Sequence, residues 1–278
     1  MPGIRNFKDK VVVITGAASG IGKATAGAFA REGADLVIVD NNASGLEQTA
    51  QQVQTFGARV LASQVDVSDG NQVADLADRV IAERSRVDIL VNNAGVGVGG
   101  SLLDTDITDF EWIFSINYWG VLYGLKYFLP HMVARKYGHV VNTASAAGLF
   151  AVPSMSAYCS TKFAVVGLSE SLRAEIRPYG IGVSTICPGI INTNIVAKSR
   201  VHLQEGSRMT HSRMVDFYRR FGWPPERVAG AILGAVRHNR SLVPVGPETW
   251  AQWFTKRLSQ KLYEFISGMS GRYLMSAK

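Results

Sequence analysis

Short apolar runs alternate with longer segments of helical period along most of the chain. The runs are rich in β-branched residues and predict strands at residues 11–15, 35–39, 58–64, 88–91, 139–143, 182–186 and 241–245. Between them, apolar positions three and four residues apart predict helices at residues 21–32, 72–84, 108–135, 160–177 and 228–237, and one more through Val53 and Phe56. Strands and helices therefore follow one another in a βαβ rhythm.

The predicted strands are apolar throughout rather than at alternate positions. This pattern is typical of parallel strands, because the connecting helices cover such a sheet on both faces. We predict an α/β fold: a single doubly wound parallel sheet of about seven strands, with helices on both faces. One domain is expected over residues 1–278, with a core at 7–193, a variable segment at 194–225 and a C-terminal helical extension at 247–278.

The C-terminal extension carries an apolar stripe. Its apolar residues recur at spacings of three and four and predict an amphipathic helix: Trp250, Trp253, Phe254, Leu258, Leu262, Phe265 and Ile266. Three surfaces could bury the stripe: the rim of a pocket in the protein itself together with residues 195–223, a neighbouring subunit, or a membrane interface. We favour the pocket rim, because the extension has only a modest basic excess and no second anchoring signal.

Three glycines stand at the turn between the first strand and the first helix, with the spacing G-x-x-x-G-x-G. Gly16 can make the tight turn, Gly20 can let a pyrophosphate approach the backbone, and Gly22 can let the helix pack on its strand. The free N–H groups and the positive end of the helix dipole would meet the phosphates. A glycine cluster alone is weak evidence, but its place in the first βα unit favours a dinucleotide site.

Asp40 closes the second strand, about 20 residues beyond the glycines. A carboxylate at this place can accept hydrogen bonds from the adenosine ribose hydroxyls and repels a 2′-phosphate. Lys23 and Arg31 lie on the intervening helix and Asn41 follows Asp40, so no basic residue stands out as a phosphate partner. We predict NAD rather than NADP; the alternative role for Asp40 is that of a turn residue or helix cap.

Tyr158 and Lys162 form the Y-x-x-x-K of the chain, a spacing that places both side chains on one face of a helix. Ser145 follows the predicted strand at 139–143, at the edge where α/β sheets hold their ligands. A serine, a tyrosine and a lysine at one sheet edge are harder to attribute to chance than the Y-x-x-x-K pair alone.

In these motifs the chain resembles the short-chain dehydrogenase/reductase family. Residues 15–22 match the family's T-G-x-x-x-G-x-G, and residues 92–95 match its N-N-A-G. Asn117, Ser145, Tyr158 and Lys162 match its catalytic set, and Pro188, Gly189 and Thr193 match its loop on the nicotinamide side. The resemblance spans residues 15–193 and says little of residues 194–278.

This resemblance implies a Rossmann fold and a set of cofactor contacts. It places Ser19 and Ile21 in the glycine turn, Asp66 and Val67 at the adenine, Asn93, Ala94 and Gly95 on the ribose side, and Ile191 and Thr193 at the carboxamide, with Pro188 and Gly189 at the start of that loop. It also implies a homodimer or homotetramer, in which the helices predicted at 108–135 and 160–177 pair across a two-fold axis.

The resemblance implies that Tyr158 is the general acid and base of an oxidation or reduction of the substrate. A free tyrosine has a pKa near 10, but a cation about 4 Å away contributes about 4 kcal/mol, which could lower that pKa by up to about three units. Lys162, helped by an oxidised nicotinamide, would supply this effect and also hold the nicotinamide ribose. Ser145 would orient the substrate oxygen, and Asn117 would anchor a water that relays the proton to solvent.

The sequence therefore predicts an NAD(H)-dependent oxidoreductase that interconverts a secondary alcohol and a ketone, or a primary alcohol and an aldehyde. With an apolar pocket under the extension, bulky hydrophobic substrates are expected. Two alternatives stay open: an NADP-using oxoacyl thioester reductase of the same family, and a catalytically silent dinucleotide-binding scaffold. The complete catalytic set favours an enzyme.

Composition narrows the class of protein. The net charge of +7 gathers toward the last third of the chain without a nucleic-acid motif, so a small-molecule partner is expected, and membrane-surface contact is less favoured. Cys159 and Cys187 are too few for a disulfide framework, and the histidines show no metal-ligand spacing, so no metal is expected. Without an apolar run of about 18 residues, we expect a cytoplasmic protein.

Overall fold

A seven-stranded parallel sheet forms the centre of the computed structural model, which describes residues 2–202 and 210–275, the last six as backbone only. Its strands are β1 (Val11–Thr15), β2 (Asp35–Asp40), β3 (Val60–Gln64), β4 (Ile89–Asn92), β6 (Gly138–Thr143), β7 (Ile181–Pro188) and β9 (Leu242–Val245). They lie in the order β3-β2-β1-β4-β6-β7-β9. The predicted fold class and strand number are confirmed.

Helices follow nearly every strand and cover both faces of the sheet. They are α1 (Gly20–Arg31), α2 (Ala43–Gln54), α3 (Gly70–Arg84), α4 (Ile107–Phe114), α5 (Gly120–Arg135), α6 (Ser156–Ile176), α7 (His211–Phe221), α8 (Pro225–His238), α9 (Pro247–Leu258) and α10 (Gln260–Met275). One apolar cluster packs α1 and α8 on one face, and a second packs α3, α5 and α6 on the other. Burial on both faces explains why the strands are apolar throughout.

Two strands on opposite sides of β1 create the opening in which ligands bind in folds of this kind. The chain passes from β1 to β2 on one side and later returns to β4 on the other, so the connections diverge at the carboxyl edge of β1. Such a switch in winding direction leaves a crevice outside the strand ends. The turn after β1 and the segment after β4 both border it.

Helix and strand ends differ from the predicted ones in a few places. The helix predicted at 108–135 is divided by a π-helical turn, Ser115–Trp119, and α6 begins four residues earlier than predicted. A two-stranded ladder of β5 (Val98–Gly99) and β8 (Arg200–Val201) was not predicted, since two-residue strands carry no periodic signal. Residues 203–209 of the predicted variable segment and 276–278 of the extension lie outside the described residues.

Candidate active site

The turn after β1 has the backbone geometry that its glycines permit. Gly16 and Gly20 have φ values of +68° and +53°, a region that side-chain-bearing residues rarely adopt. A Cβ on Gly22 would collide with the carbonyl oxygen of Gly16, so only glycine lets α1 start this close to the turn. Gly22 therefore acts in packing, and it does not line the cavity beside it.

Asp40 bridges the end of β2 and the glycine turn. One carboxylate oxygen accepts a hydrogen bond from the Ala18 amide at 3.0 Å, and the other accepts from the Asn42 amide at 3.0 Å. These contacts fit the predicted alternative role as a turn residue. They also hold a negative charge at the rim of the cavity, which Asp40 lines together with Asn41.

Thr15 joins the segment after β4 to the end of β1. Its hydroxyl accepts hydrogen bonds from the Asn93 amide at 2.9 Å and the Ala94 amide at 3.0 Å. The Asn93 side chain in turn donates to the Thr15 carbonyl at 3.0 Å. The N-N-A-G segment is thereby fixed beside the glycine turn.

A cavity of about 290 Å³ runs along these three segments. Its lining includes these residues for which cofactor contacts were predicted: Gly16, Ser19, Gly20, Ile21, Asp40, Asp66, Val67, Asn93, Ala94, Gly95 and Thr193. The structure thus brings together residues that are up to 177 positions apart in the sequence.

Tyr158 lies on the first turn of α6 and faces Ser145, which follows β6. A hydrogen bond from Ser145 lowers the tyrosine pKa, but burial has the larger effect and raises that pKa above its usual value of 10.0. The expected lowering of the Tyr158 pKa is therefore wrong for the chain alone. The reason is desolvation, which disfavours the phenolate in an enclosed site.

Lys162 lies one turn beyond Tyr158 and is buried. Its Nζ donates to the Thr143 carbonyl at 3.1 Å and lies 5.7 Å from the centroid of the Tyr158 ring. Burial lowers the pKa of the ammonium to about 8. The lysine side chain is thus directed at the end of β6 and toward the tyrosine.

Asn117 occupies the π-helical turn between α4 and α5 and is fully buried. Its amide bonds Val96 twice, accepting from the backbone N–H at 2.8 Å and donating to the carbonyl at 3.0 Å, and it donates to the Thr161 hydroxyl at 3.2 Å. Asn117 therefore lies behind Gly95 and does not line either cavity. Its side chain braces the segment after β4 against α6.

A second cavity of about 400 Å³ continues from the first and contains the predicted catalytic residues Ser145, Tyr158 and Lys162. The two share Ile21, Asn93, Gly95, Thr193 and Ile195, so they form one cleft. Pro188, Gly189 and Ile191, from the loop after β7, line this second part.

Helices α9 and α10, here called the tail helices, border the far end of the cleft. Tyr263 Oη donates to the Ala151 carbonyl at 2.8 Å, and Lys256 Nζ donates to the Leu149 carbonyl at 3.1 Å. Lys256 also lies 4.7 Å above the ring of Phe163. These contacts fasten the tail helices to the segment between β6 and α6, beside Tyr158.

Helix α9 turns its polar side to the cleft, which differs from the prediction, whereas α10 lines it with Tyr263, Ile266 and Ser267. Glu248, Thr249, Gln252 and Thr255 of α9 line the cavity. In contrast, six of the seven stripe residues are 41% to 84% exposed: Trp250, Phe254, Leu258, Leu262, Phe265 and Ile266. The expectation that the pocket rim buries this stripe is therefore wrong for most of its residues in the chain alone; Ile266 lines the cavity, and Trp253 packs on the core.

Several lining residues were missed in the sequence. Lys198 and Asn194 line the cofactor-side cavity, and Lys198 shares a neighbouring depression with Lys23, Ser19 and Asn42. Tyr218, from α7, lines the other cavity, and Trp223 donates to Glu248 Oε2 at 3.4 Å. These residues lie beyond the last recognisable motif, where only tertiary contacts reveal them.

Three further observations concern Cys159, metal ligands and the length of the helices. Burial raises the pKa of the Cys159 thiol, and its sulfur accepts from the Val152 amide, so this neighbour of Tyr158 packs rather than reacts. No cluster of His, Cys, Asp or Glu among the described residues could hold a metal ion. None of the helices over the same residues is long and apolar enough to cross a bilayer.

Comparisons with known proteins agree with this architecture. The family model for short chain dehydrogenases matches residues 10–204. A crystal structure of a short-chain dehydrogenase/reductase from Burkholderia phymatum in complex with NAD is similar at a TM-score of 0.84 and 35% identity, covering 93% of this chain and 96% of that one.

Two curated relatives come from Mycobacterium tuberculosis. The probable oxidoreductase EphD is 40% identical over 260 residues, which cover 91% of this chain but 43% of EphD, so the chain spans less than half of that protein. The putative oxidoreductase SadH is 36% identical over 262 residues, covering 93% of this chain and 94% of SadH.

Proposed function

The chain belongs to the short-chain dehydrogenase family, and from this premise we propose that it is an NAD(H)-dependent oxidoreductase acting on a hydrophobic alcohol or its carbonyl counterpart. The observation that carries the proposal is the place of Ser145, Tyr158 and Lys162 in one cleft with the glycine turn and Asp40. Hydride transfer to or from a nicotinamide requires a proton-transfer group next to the cofactor site.

The residues of the cofactor-side cavity fit a dinucleotide. The start of α1 offers free N–H groups to phosphates, and Gly20 leaves room for them because it has no side chain. Asp40 offers a carboxylate to ribose hydroxyls at the end of β2. When bound, the nicotinamide would accept or donate the hydride; the Burkholderia phymatum relative was solved with NAD.

The chain's own residues would then handle the proton and the substrate oxygen. Ser145 donates a hydrogen bond to Tyr158 and would donate instead to a substrate oxygen that enters between the two side chains. Tyr158 Oη would take the hydroxyl proton in the oxidising direction and return it in the reducing direction. Because burial raises the tyrosine pKa, the protonated phenol is the resting form, ready for reduction.

Lys162 would stabilise the phenolate when it forms. Its ammonium is held on the Thr143 carbonyl and faces the tyrosine ring, and a cation in an enclosed site is worth more than one in water. Asn117 would act through position: it holds Val96 and α6 together, and its π-helical turn releases backbone carbonyls that a relaying water could use.

The choice of NAD over NADP rests on Asp40, whose charge repels a 2′-phosphate. Lys198 is the feature that favours the second candidate, an NADP-dependent reductase, because it lines the same cavity as Asp40. We retain NAD, because Asp40 is fixed by two backbone hydrogen bonds at the ribose end whereas Lys198 belongs to the variable segment.

The substrate is proposed to be long and mainly apolar with a polar end. Phe150, Val152, Pro153, Met155 and Ile190 line the cavity near Tyr158. Toward the tail helices the lining becomes polar, and Glu248 Oε1 is buried there without a hydrogen-bond partner among the described residues. A hydroxyl or amide at the distal end of the substrate could satisfy this oxygen.

A turnover screen tests the proposal. Purified protein is incubated with NAD or NADP and a panel of alcohols that differ in length, and reduced cofactor is followed by absorbance. We expect turnover with NAD, rising with the apolar length of the alcohol. Absence of turnover in both directions across the panel, in protein that binds NADH, would favour a silent scaffold instead.

A further inference from the structure

The tail helices expose a row of apolar side chains to solvent. We call these residues the outer face: Trp250, Phe254 and Leu258 of α9, and Leu262, Phe265 and Met269 of α10. On α9, helical geometry places Trp250 and Phe254 about 120° to 160° around the axis from Glu248 and Gln252. An amphipathic helix whose polar side faces the protein leaves its apolar side for something else.

The exposure of this face is large for single side chains. Leu258 is 84% exposed and Phe265 is 60% exposed, and the Trp250 and Phe254 rings stack on one another at 5.7 Å between centroids. Contiguous exposed apolar side chains mark interaction surfaces more often than isolated ones do. The outer face is therefore a candidate interaction surface.

Charge identifies the kind of partner. Residues 211–278 contain 11 Lys and Arg and 4 Asp and Glu, so they carry the whole net charge of +7. Arg257 and Lys261 are exposed beside the outer face. Of the acidic residues of the tail helices, Glu248 lines the cleft, and Glu264 accepts a hydrogen bond from Gln260.

Helix α7, beside the cleft, also has exposed aromatic residues next to exposed basic residues. Phe217 and Phe221 of α7 are exposed, and so are Arg219 and Arg220 of the same helix. Tyr218 lines the cavity that the tail helices also line, so α7 and the tail helices border one opening. Aromatic residues and cations thus border the opening from more than one helix.

We propose that the outer face binds the surface of an anionic lipid bilayer, with the tail helices lying in its plane. Trp, Phe and Leu on one side and Lys or Arg beside them are the residues of an interfacial helix. A two-fold contact with a second copy is disfavoured, because it would bring equal basic surfaces together. If the proposed function holds, the bilayer would also supply the apolar substrate near the opening.

Vesicle sedimentation tests the proposal without turnover, so its outcome is separate from that of the proposed function. Phosphatidylcholine vesicles containing phosphatidylglycerol are compared with phosphatidylcholine vesicles alone. We expect the full chain to bind the anionic vesicles at least about tenfold more strongly. Equal partition into both, or no binding at low ionic strength, would overturn the proposal.

Two pairs of double variants locate the contact. Phe254→Ser with Leu262→Ser should lower binding to anionic vesicles at least about tenfold. The matched control, Phe56→Ser with Tyr179→Ser, changes two exposed aromatic residues that precede β3 and β7, at the amino ends of these strands, whereas the tail helices follow the carboxyl end of β9; it should bind like the parent protein. Equal binding by both double variants would contradict the proposal.

Arg257→Gln with Lys261→Gln tests the electrostatic part and leaves the apolar side chains in place. This variant should lose most of the preference for anionic over neutral vesicles, and retention of that preference counts against the proposal. NADH binding checks that each variant is folded. Light scattering without lipid identifies the competing occupant: if Phe254→Ser with Leu262→Ser dissociates an oligomer, the outer face is a subunit contact and the bilayer proposal fails.

Discussion

At the scale of single residues, burial sets the protonation of the site before any ligand arrives. Desolvation raises the pKa of Tyr158 and lowers that of Lys162 to about 8, so it disfavours the charged form of each. The roles of these residues could be predicted from the Y-x-x-x-K spacing, because four residues make about one helical turn. The direction of the tyrosine shift could not, because it depends on residues that only the fold brings together.

The raised Tyr158 pKa predicts different pH dependences for the two reaction directions. Oxidation needs the phenolate and should speed up as the pH rises from about 6 to 9, whereas reduction needs the phenol, which stays protonated over this range, and should change little with Tyr158 titration. Steady-state kcat/KM for an alcohol and its ketone over this range checks the prediction. A pH-independent oxidation rate would show that another group accepts the proton.

Asp40 predicts the cofactor preference. We expect kcat/KM with NAD to exceed that with NADP at least about tenfold, and Asp40→Asn to narrow the gap by a similar factor, because the charge is lost while one acceptor oxygen remains. Asp66→Asn is the matched control, since Asp66 lines the same cavity and also accepts local hydrogen bonds. A ratio that shifts equally in both variants would remove Asp40 from this role.

At the scale of elements, long periodic segments were predictable and short or interrupted ones were not. Each predicted strand appears, within one or two residues at its ends, because apolar runs bounded by turns mark buried parallel strands. The π-helical turn at Ser115–Trp119 left no such mark, since apolar and aromatic residues continue through it. The orientation of the tail helices depends on the contacts of Lys256 and Tyr263, which the period alone does not specify.

Removal of α10 tests its place at the cleft. A chain that ends at Ser259 should show a several-fold higher KM for long apolar alcohols, because Tyr263 and Ile266 line the cavity near the substrate end. NADH affinity should change little, since none of the α10 side chains that the structure describes lines the cofactor-side cavity. Tyr263→Phe, which loses only the bond to Ala151, should show a smaller effect in the same direction; unchanged KM values in both proteins would exclude this role.

The pairing of β6 with β7 contains a buried histidine that makes the fold sensitive to acid. Ser184 donates to the Arg240 carbonyl at 2.5 Å, so His139 Nε2 must donate to the Ser184 hydroxyl, at 2.8 Å. Burial, and then the nearby Arg173 cation, lowers the pKa of His139 from 6.5 to about 3. Between about pH 6.5 and pH 3, His139 therefore binds a proton in the unfolded chain but not in the folded chain.

This histidine should contribute stability that is present above its unfolded pKa and lost as the pH falls toward the folded pKa. The loss should reach about 2 kcal/mol of unfolding free energy by about pH 5. In His139→Gln, whose amide can still donate to Ser184, this part of the loss of unfolding free energy at acidic pH should disappear. Urea unfolding at neutral and acidic pH measures the difference; parallel acid slopes in the two proteins would refute it.

At the scale of the whole molecule, the parallel sheet and its crevice followed from the alternation of elements, and the family followed from motifs that span residues 15–193. Beyond residue 193 the sequence predicted the composition and the helical period of the chain, but not which residues line the site. Those residues reach the site only through tertiary packing. All of the net charge of +7 lies in residues 211–278. This charge indicates an anionic bilayer as partner only together with the exposed apolar residues of the outer face. A homodimer or homotetramer and a cytoplasmic location stay predictions.

Whether this cleft moves a hydride with Tyr158 as its acid and base is decided by one substitution, Tyr158→Phe. It removes the hydroxyl but keeps the ring, so kcat with NAD and an accepted alcohol should fall at least about hundredfold, while the Kd for NADH stays within about twofold. Retention of more than a few per cent of the parent kcat, with NADH binding intact, would show that Tyr158 is not the proton-transfer group and would refute the proposed mechanism.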